Sequence, residues 1–164
     1  MPGGVEKTAK AELEYRYKPT NTTRYEARVA RAQADYSAAK ERCDDKAGNV
    51  KDVCLKEAKA AEITAKADAK AQMKISDANN TANQKSSAAH MRADDKAANA
   101  QNVANQKSSA AHMRANEQAV EARKDAAEVK RNADFAVAKE KCDVYSGDAK
   151  DSCLNQAKAQ FDKS

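Results

Sequence analysis

Between Asn49 and Ser146 the chain contains neither glycine nor proline. These residues are the strongest local interrupters of regular structure, glycine through its backbone entropy and proline through its ring and missing N–H. Their absence over most of a 164-residue chain leaves long helix as the default. Composition points the same way. Alanine, the best helix former, supplies 38 residues, whereas Leu, Ile, Val and Phe together supply 16. Alanine buries little area, so such helices form readily and pack thinly. The fold class expected is all-α: elongated helical hairpins or a bundle around a long central helix.

The few breakers set the boundaries. Pro2, Gly3 and Gly4 lie at the amino terminus, Pro19 interrupts the first helical stretch, and Gly48 and Gly147 each stand inside a twelve-residue unit bounded by cysteines. The expected order is helix from about Val5 to Tyr17, a break at Lys18-Pro19, and helix from about Asn21 to Lys46. A turn at Gly48 leads into helix as far as Tyr145, and a turn at Gly147 into a last helix ending near Phe161. Three regions follow: 1–75 with the first cysteine unit, 76–128 as an Ala/Asn/Lys-rich segment, and 129–164 with the second unit. A single helix over 49–145 would run roughly 145 Å at 1.5 Å per residue. Two polar patches are the alternative places for the chain to fold back, residues 76–81 and 99–102. Neither carries Gly or Pro, so the continuous helix is the favoured reading.

A packing seam is visible in the second helix. Tyr25, Val29, Ala32, Tyr36, Ala39 and Cys43 are spaced four, three, four, three, four, the a/d pattern of a coiled-coil helix with a partner. Phe135, Ala138, Cys142 and Tyr145 repeat that spacing. These aromatics are read as core. Two internal repeats accompany the seam. ANQKSSAAHMRA occurs at 82–93 and again at 104–115, offset by 22 residues, and the cysteine units are offset by 99. Both offsets are multiples of eleven, three turns at 3.67 residues per turn, so a helix that gains elevens keeps one face pointing the same way.

The cysteine units CDDKAGNVKDVC (43–54) and CDVYSGDAKDSC (142–153) read as helical hairpins. Gly48 and Gly147 supply the left-handed backbone that ends a helix. Asn49 and Asp148 follow as expected N-caps, with Asp52 and Asp151 at positions where the helix dipole favours an acid. Cys43 and Cys54 sit symmetrically about the Gly48–Asn49 bond. Antiparallel helices 8 to 10 Å apart leave facing Cα atoms roughly 4 to 5 Å apart, within reach of a disulfide. The pairs expected are Cys43–Cys54 and Cys142–Cys153, which implies an oxidising compartment. The spacing fits neither structural zinc, which takes cysteines two to four apart in pairs, nor a C-x-x-C redox or haem motif.

The pattern C-D-x-x-x-G-[ND]-x-K-D-x-C flanked by Ala/Lys/Glu-rich helix resembles a group of uncharacterised exported proteobacterial proteins, called TolA-like for their composition. AKAELEYRYKPTNTTRYEARVARAQADY (9–36) resembles the segment before the first hairpin in that group. The likeness covers about 9–75 and 121–161. The membrane anchor and globular carboxy-terminal domain of TolA itself have no counterpart here, and the 22-residue duplication departs from the group's pattern. What the resemblance implies is a periplasmic place, with any signal peptide already removed.

Little chemistry is legible. His90-Met91 and His112-Met113 are candidate ligands for soft ions such as Cu(I) or Ag(I), but adjacent helix residues point about 100° apart and chelate poorly; the plainer reading is one exposed pair copied with its segment. No Ser-His-Asp set, phosphate loop or HExxH motif occurs, and without bulky side chains a pocket that shifts a pKa is hard to build. No enzyme activity, cofactor or small-molecule substrate is expected. The net charge of +5 comes from 30 basic and 25 acidic residues interspersed along the chain, unlike the concentrated basic face of a nucleic-acid binder. No apolar run reaches the roughly 18 residues of a membrane span.

The function expected is that of a non-enzymatic periplasmic structural, scaffold or envelope-stress protein acting through its helical surface. Region 76–128, with few Glu-to-Lys pairs to hold a lone helix, should self-associate or bind another helical protein. One alternative is a protectant like the late-embryogenesis-abundant proteins, disordered when hydrated. Another is the soft-metal binder.

Overall fold

The computed structural model describes residues 3–94 and 98–161. These residues form five helices: α1 (Gly3–Tyr17), α2 (Asn21–Asp44), α3 (Gly48–Asp94), α4 (Ala98–Cys142) and α5 (Asp148–Gln160). No strand occurs among the described residues. The chain divides into two compact units: one takes the residues up to Ala69 together with those from Ala126 onward, the other Lys70–Asp125. The amino- and carboxy-terminal regions, separate along the sequence, thus belong to the same unit.

The continuous helix over 49–145 is not what forms. α3 ends at Asp94 and α4 begins at Ala98, and both polar patches lie inside helices, 76–81 in α3 and 99–102 in α4. α3 and α4 divide the stretch between Gly48 and Gly147 almost equally. Neither glycine nor proline marks the division because burial, not propensity, decides it: reversal gives each alanine stripe a partner. In the 70–125 unit, Ala78 and Ala82 of α3 and Ala111 and Ala115 of α4 form one buried cluster. Region 76–128 therefore has an intrachain partner, contrary to the expectation that it stands alone.

Burial follows the eleven-residue period. Ala60, Ala71 and Ala82 are buried along α3; so are Ala104, Ala115 and Ala126, and Ala111, Ala122 and Ala133, along α4. Each step is three turns, so every member of a set returns to one face. Among the described residues, every fully buried hydrophobic residue is an alanine or one of Cys43 and Cys142. Larger side chains such as Leu13, Val103, Val120 and Val144 are exposed. Helices that approach on methyl groups leave no room for anything bigger, and each buried methyl contributes only about 0.8 kcal/mol.

The other unit holds its helices with larger groups. α1 ends before Pro19, and Thr20 caps α2: its hydroxyl accepts from the Thr23 N–H at 3.1 Å, while the Thr23 hydroxyl accepts from the Thr20 N–H at 3.0 Å. Thr8 ties α1 to α2 by donating to the Ala30 carbonyl at 3.3 Å. On α2 the expected seam is covered along its length, with Ala32 and Cys43 fully buried and Tyr25, Val29, Tyr36 and Ala39 half-buried. The Lys59 ammonium of α3 lies 4.9 Å from the Tyr36 ring centre. Phe135 of α4 meets Phe161, just beyond α5, with ring centres 6.1 Å apart. Tyr145, expected in the core, is exposed, because α4 stops at Cys142 and the helical spacing no longer applies to it.

Among the described residues Glu62 is the one buried charge, 6 % exposed. Its carboxylate takes Lys59 at 2.7 Å and Lys66 at 2.6 Å, one turn to either side. Burial pushes the carboxyl's pKa up, but the two ammonium groups outweigh it and hold the carboxyl below its ordinary value. The bond to Glu62 in turn raises Lys59, against a smaller effect of burial.

Candidate functional site

The most differentiated part of the molecule is built from the two cysteine hairpins. Cys43–Cys54 joins α2 to α3 and Cys142–Cys153 joins α4 to α5, each with Cα atoms 5.7 Å apart. No free cysteine is present. Gly48 and Gly147 have positive φ, 55° and 56°, which favours glycine, but they stand at the start of the second helix of each hairpin and not just past the first, since α2 ends at Asp44 and α4 at Cys142. In both hairpins the lysine that follows the glycine by three residues reaches back to the aspartate that follows the first cysteine. Lys51 meets Asp44 at 3.0 Å and Lys150 meets Asp143 at 2.8 Å. That pairing explains why the two copies share these residues. The hydrogen bond to Asp143 raises the Lys150 pKa.

The caps differ from expectation. α3 begins at Gly48 itself, and the Lys51 N–H bonds the Ala47 carbonyl, so Asn49 lies inside the first turn. Its side-chain amide instead donates to the Glu140 carbonyl of α4 at 3.2 Å. In the second hairpin Gly147 occupies the cap position without a side-chain bond, and its carbonyl accepts from the Lys150 and Asp151 N–H groups. Asp148 is the first helical residue, where its charge faces the positive end of the helix dipole. In the second hairpin the Lys150 N–H is met by a backbone carbonyl and not by a side-chain cap.

Fold-back sets the two hairpins together instead of at opposite ends of a rod. Lys141 pairs with Glu57 at 2.6 Å and Lys56 with Glu140 at 3.4 Å, while Lys130 meets Asp68 at 2.7 Å. Lys46, Asn49, Val50, Val53, Cys54 and Glu57 of the first hairpin and Lys141 and Val144 of the second line one open cleft of about 430 Å³. Val50 and Val144 are exposed at its rim. The surface is mixed, with aliphatic and charged groups side by side.

In the 70–125 unit the identical segments 82–93 and 104–115 run antiparallel. Ser86 and Ser108, the fifth residue of each, share a hydrogen bond of 2.7 Å. Ala82 and Ala104, the first residue of each, are equally buried at 2 % and 3 % exposure. The His-Met candidates are not brought together. His90 is half-buried and its Nδ1 lies 3.3 Å from the Gln101 amide. His112 is exposed eleven residues further along α4, about 16 Å by helical rise. Met91 and Met113 are both exposed. Among the described residues no three His, Cys, Asp or Glu side chains form a cluster fit for a metal ion.

No described helix is long and apolar enough to cross a membrane. The chain matches no protein-family model, no curated protein and no solved structure.

Proposed function

We propose that this chain is a non-enzymatic protein of the periplasm or a comparable oxidising exterior compartment, where it serves as a structural or scaffold element through the outer faces of its helices. The observation that carries this reading is the pairing of all four cysteines across the two glycine turns. Such bridges persist where thiols are not kept reduced. Scaffolding is supported by the division of labour within α3 and α4. Their alanine faces are spent on each other, in a coiled-coil-like seam of eleven-residue period, and their polar faces remain exposed. A partner helix or a second copy of the chain would engage those faces or the cleft between the hairpins.

Alkylation of unreduced native cells, followed by mass spectrometry of separated compartments, tests the reading. Four cysteines that escape alkylation, being disulfide-bonded, are expected in the periplasmic or secreted fraction; four alkylated thiols in the cytosol would overturn it. Circular dichroism in dilute buffer separates the scaffold from a hydration protectant, because the scaffold is strongly helical before any drying.

A further inference from the structure

α1 and α2 enclose an open cleft of about 570 Å³ lined by Glu12, Tyr15 and Arg16 of α1 and by Arg24, Ala27, Arg28 and Arg31 of α2. Four arginines face one glutamate there. Elsewhere the chain prefers lysine, 21 against nine arginines overall, and mixes it with acids; here nearly half of its arginines share one depression. The spacing on α2 is one face of a helix, i, i+4 and i+7, with buried Ala27 as the floor. Arg24 to Arg31 spans about 10 Å by helical rise.

The Arg24 side chain is held in place. Its Nε donates to the Tyr15 hydroxyl at 3.2 Å and its guanidinium carbon lies 5.6 Å from the Tyr15 ring centre. Bonding through Nε leaves both terminal nitrogens for a ligand. Arg16, Arg24 and Arg31 pair with no carboxylate among the described residues, whereas Arg28 is already engaged within the protein. Guanidinium groups present a planar fork that matches phosphate oxygens two at a time, which an ammonium cannot do. An arginine fixed in advance also loses less freedom on binding.

We propose that this cleft binds phosphate groups, and specifically a ligand that carries more than one phosphate negative charge across the span from Arg24 to Arg31. The openness of the cleft suits a group presented at a surface or on a flexible chain. The shared chemistry is the phosphate ester or anhydride, and its source is either a phospholipid headgroup or a soluble polyphosphate. This site is independent of the scaffold reading and of the compartment.

The test uses the full-length, disulfide-bonded protein. Sodium tripolyphosphate is titrated calorimetrically, and vesicles of phosphatidylcholine with and without phosphatidylglycerol are tested by co-sedimentation. Binding is expected to weaken at least about tenfold in Arg24→Gln/Arg31→Gln, from the loss of charge-assisted bonds. It should change less than about twofold in Lys107→Gln/Lys124→Gln, which removes the same charge from exposed α4 positions and leaves only a screened, long-range effect. Arg16→Gln/Arg31→Gln repeats the test without touching the Tyr15 contact, should the first variant loosen α1 from α2. Tripolyphosphate binding alone identifies a soluble ligand, and binding to the anionic vesicles identifies a headgroup. Absence of binding to both probes, or equal loss in the lysine control, would overturn the proposal.

Discussion

The two units share alanine as their main buried residue but tie their helices differently. Residues 70–125 combine alanine methyl groups with polar contacts such as Ser86 with Ser108, His90 with Gln101 and the ion pair of Lys74 with Asp125 at 3.1 Å. The unit that carries both chain ends adds two disulfides, a phenylalanine pair, lysine over tyrosine, and a buried carboxylate between two lysines. Alanine seams reward close approach and penalise any enlargement, and in the terminal unit, whose fully buried hydrophobics are also alanines apart from Cys43 and Cys142, covalent and ionic ties further limit how far the helices part. One region is specified by size, the other by size and connection together.

Removal of both bridges should have the largest effect. Closing loops this short stabilises by about 3 kcal/mol each through the chain entropy of the unfolded state. Thermal melts followed by circular dichroism, with and without reductant, should show a lower Tm on reduction; coincident melts would erase the distinction between the units. Next comes Ala82→Leu. Ala82 is 2 % exposed within the four-alanine cluster, so the larger side chain should cost about 1–3 kcal/mol by overpacking. Exposed Ala127→Leu on α4 should stay within about 0.5 kcal/mol. Urea denaturation measures both, and equal tolerance would mean that the seam is not size-limited.

Smaller effects sharpen the account of the stapled unit. Gly147 has φ 56° and ψ −143°, a conformation essentially reserved for glycine, and a Cβ there would meet no atom within 4 Å, so Gly147→Ala should cost only that backbone strain, about 1–3 kcal/mol. A much larger loss on chemical denaturation would point to packing instead. Glu62, held below its ordinary pKa of 4.5, contributes stability that is present above that unfolded value and lost as pH falls through the lower folded one. The denaturation midpoint should therefore decline on acidification across that window, and Glu62→Gln should flatten the decline.

What could be read from the chain itself divides along the same line. The hairpins were legible because their constraints are local: symmetric cysteines, a glycine between them, and a fixed disulfide geometry. The cap assignments at Asn49 and Asp148 fall inside the helices, which already begin at Gly48 and Asp148, and the Asn49 amide reaches α4 instead. The reversal after Asp94 left only a weak local mark, the polar patch at 99–102 just beyond it, which carries no glycine or proline. It depends on alanines such as Ala82 and Ala111, 29 residues apart in sequence, and a small methyl gives no hint of which partner it will meet. The eleven-residue period was visible in the repeat offsets, yet a period says only which face is buried, not against what. Thr20 could have been found, since a threonine immediately after Pro19 and three residues before Thr23 is an N-terminal signature with threonine in the place usually taken by Glu or Gln. The arginine spacing on α2 was equally visible, but the contribution of Arg16 and Tyr15 from α1 required the tertiary pairing.

The antiparallel contact of Ser86 with Ser108 has a consequence for how such a protein lengthens. In a helical hairpin, extra residues must be shared between an outgoing arm and a returning one. Duplicating twenty-two residues around the bend adds eleven to each arm, three full turns or about 16 Å by helical rise, and both arms keep their alanines inward. An insertion of eleven would leave one arm overhanging; an insertion of twenty would rotate the stripes out of register. The repeat at 82–93 and 104–115 is an increment that keeps both faces, so the arms are extended in quanta of whole turns, like rungs added to both rails of a ladder at once.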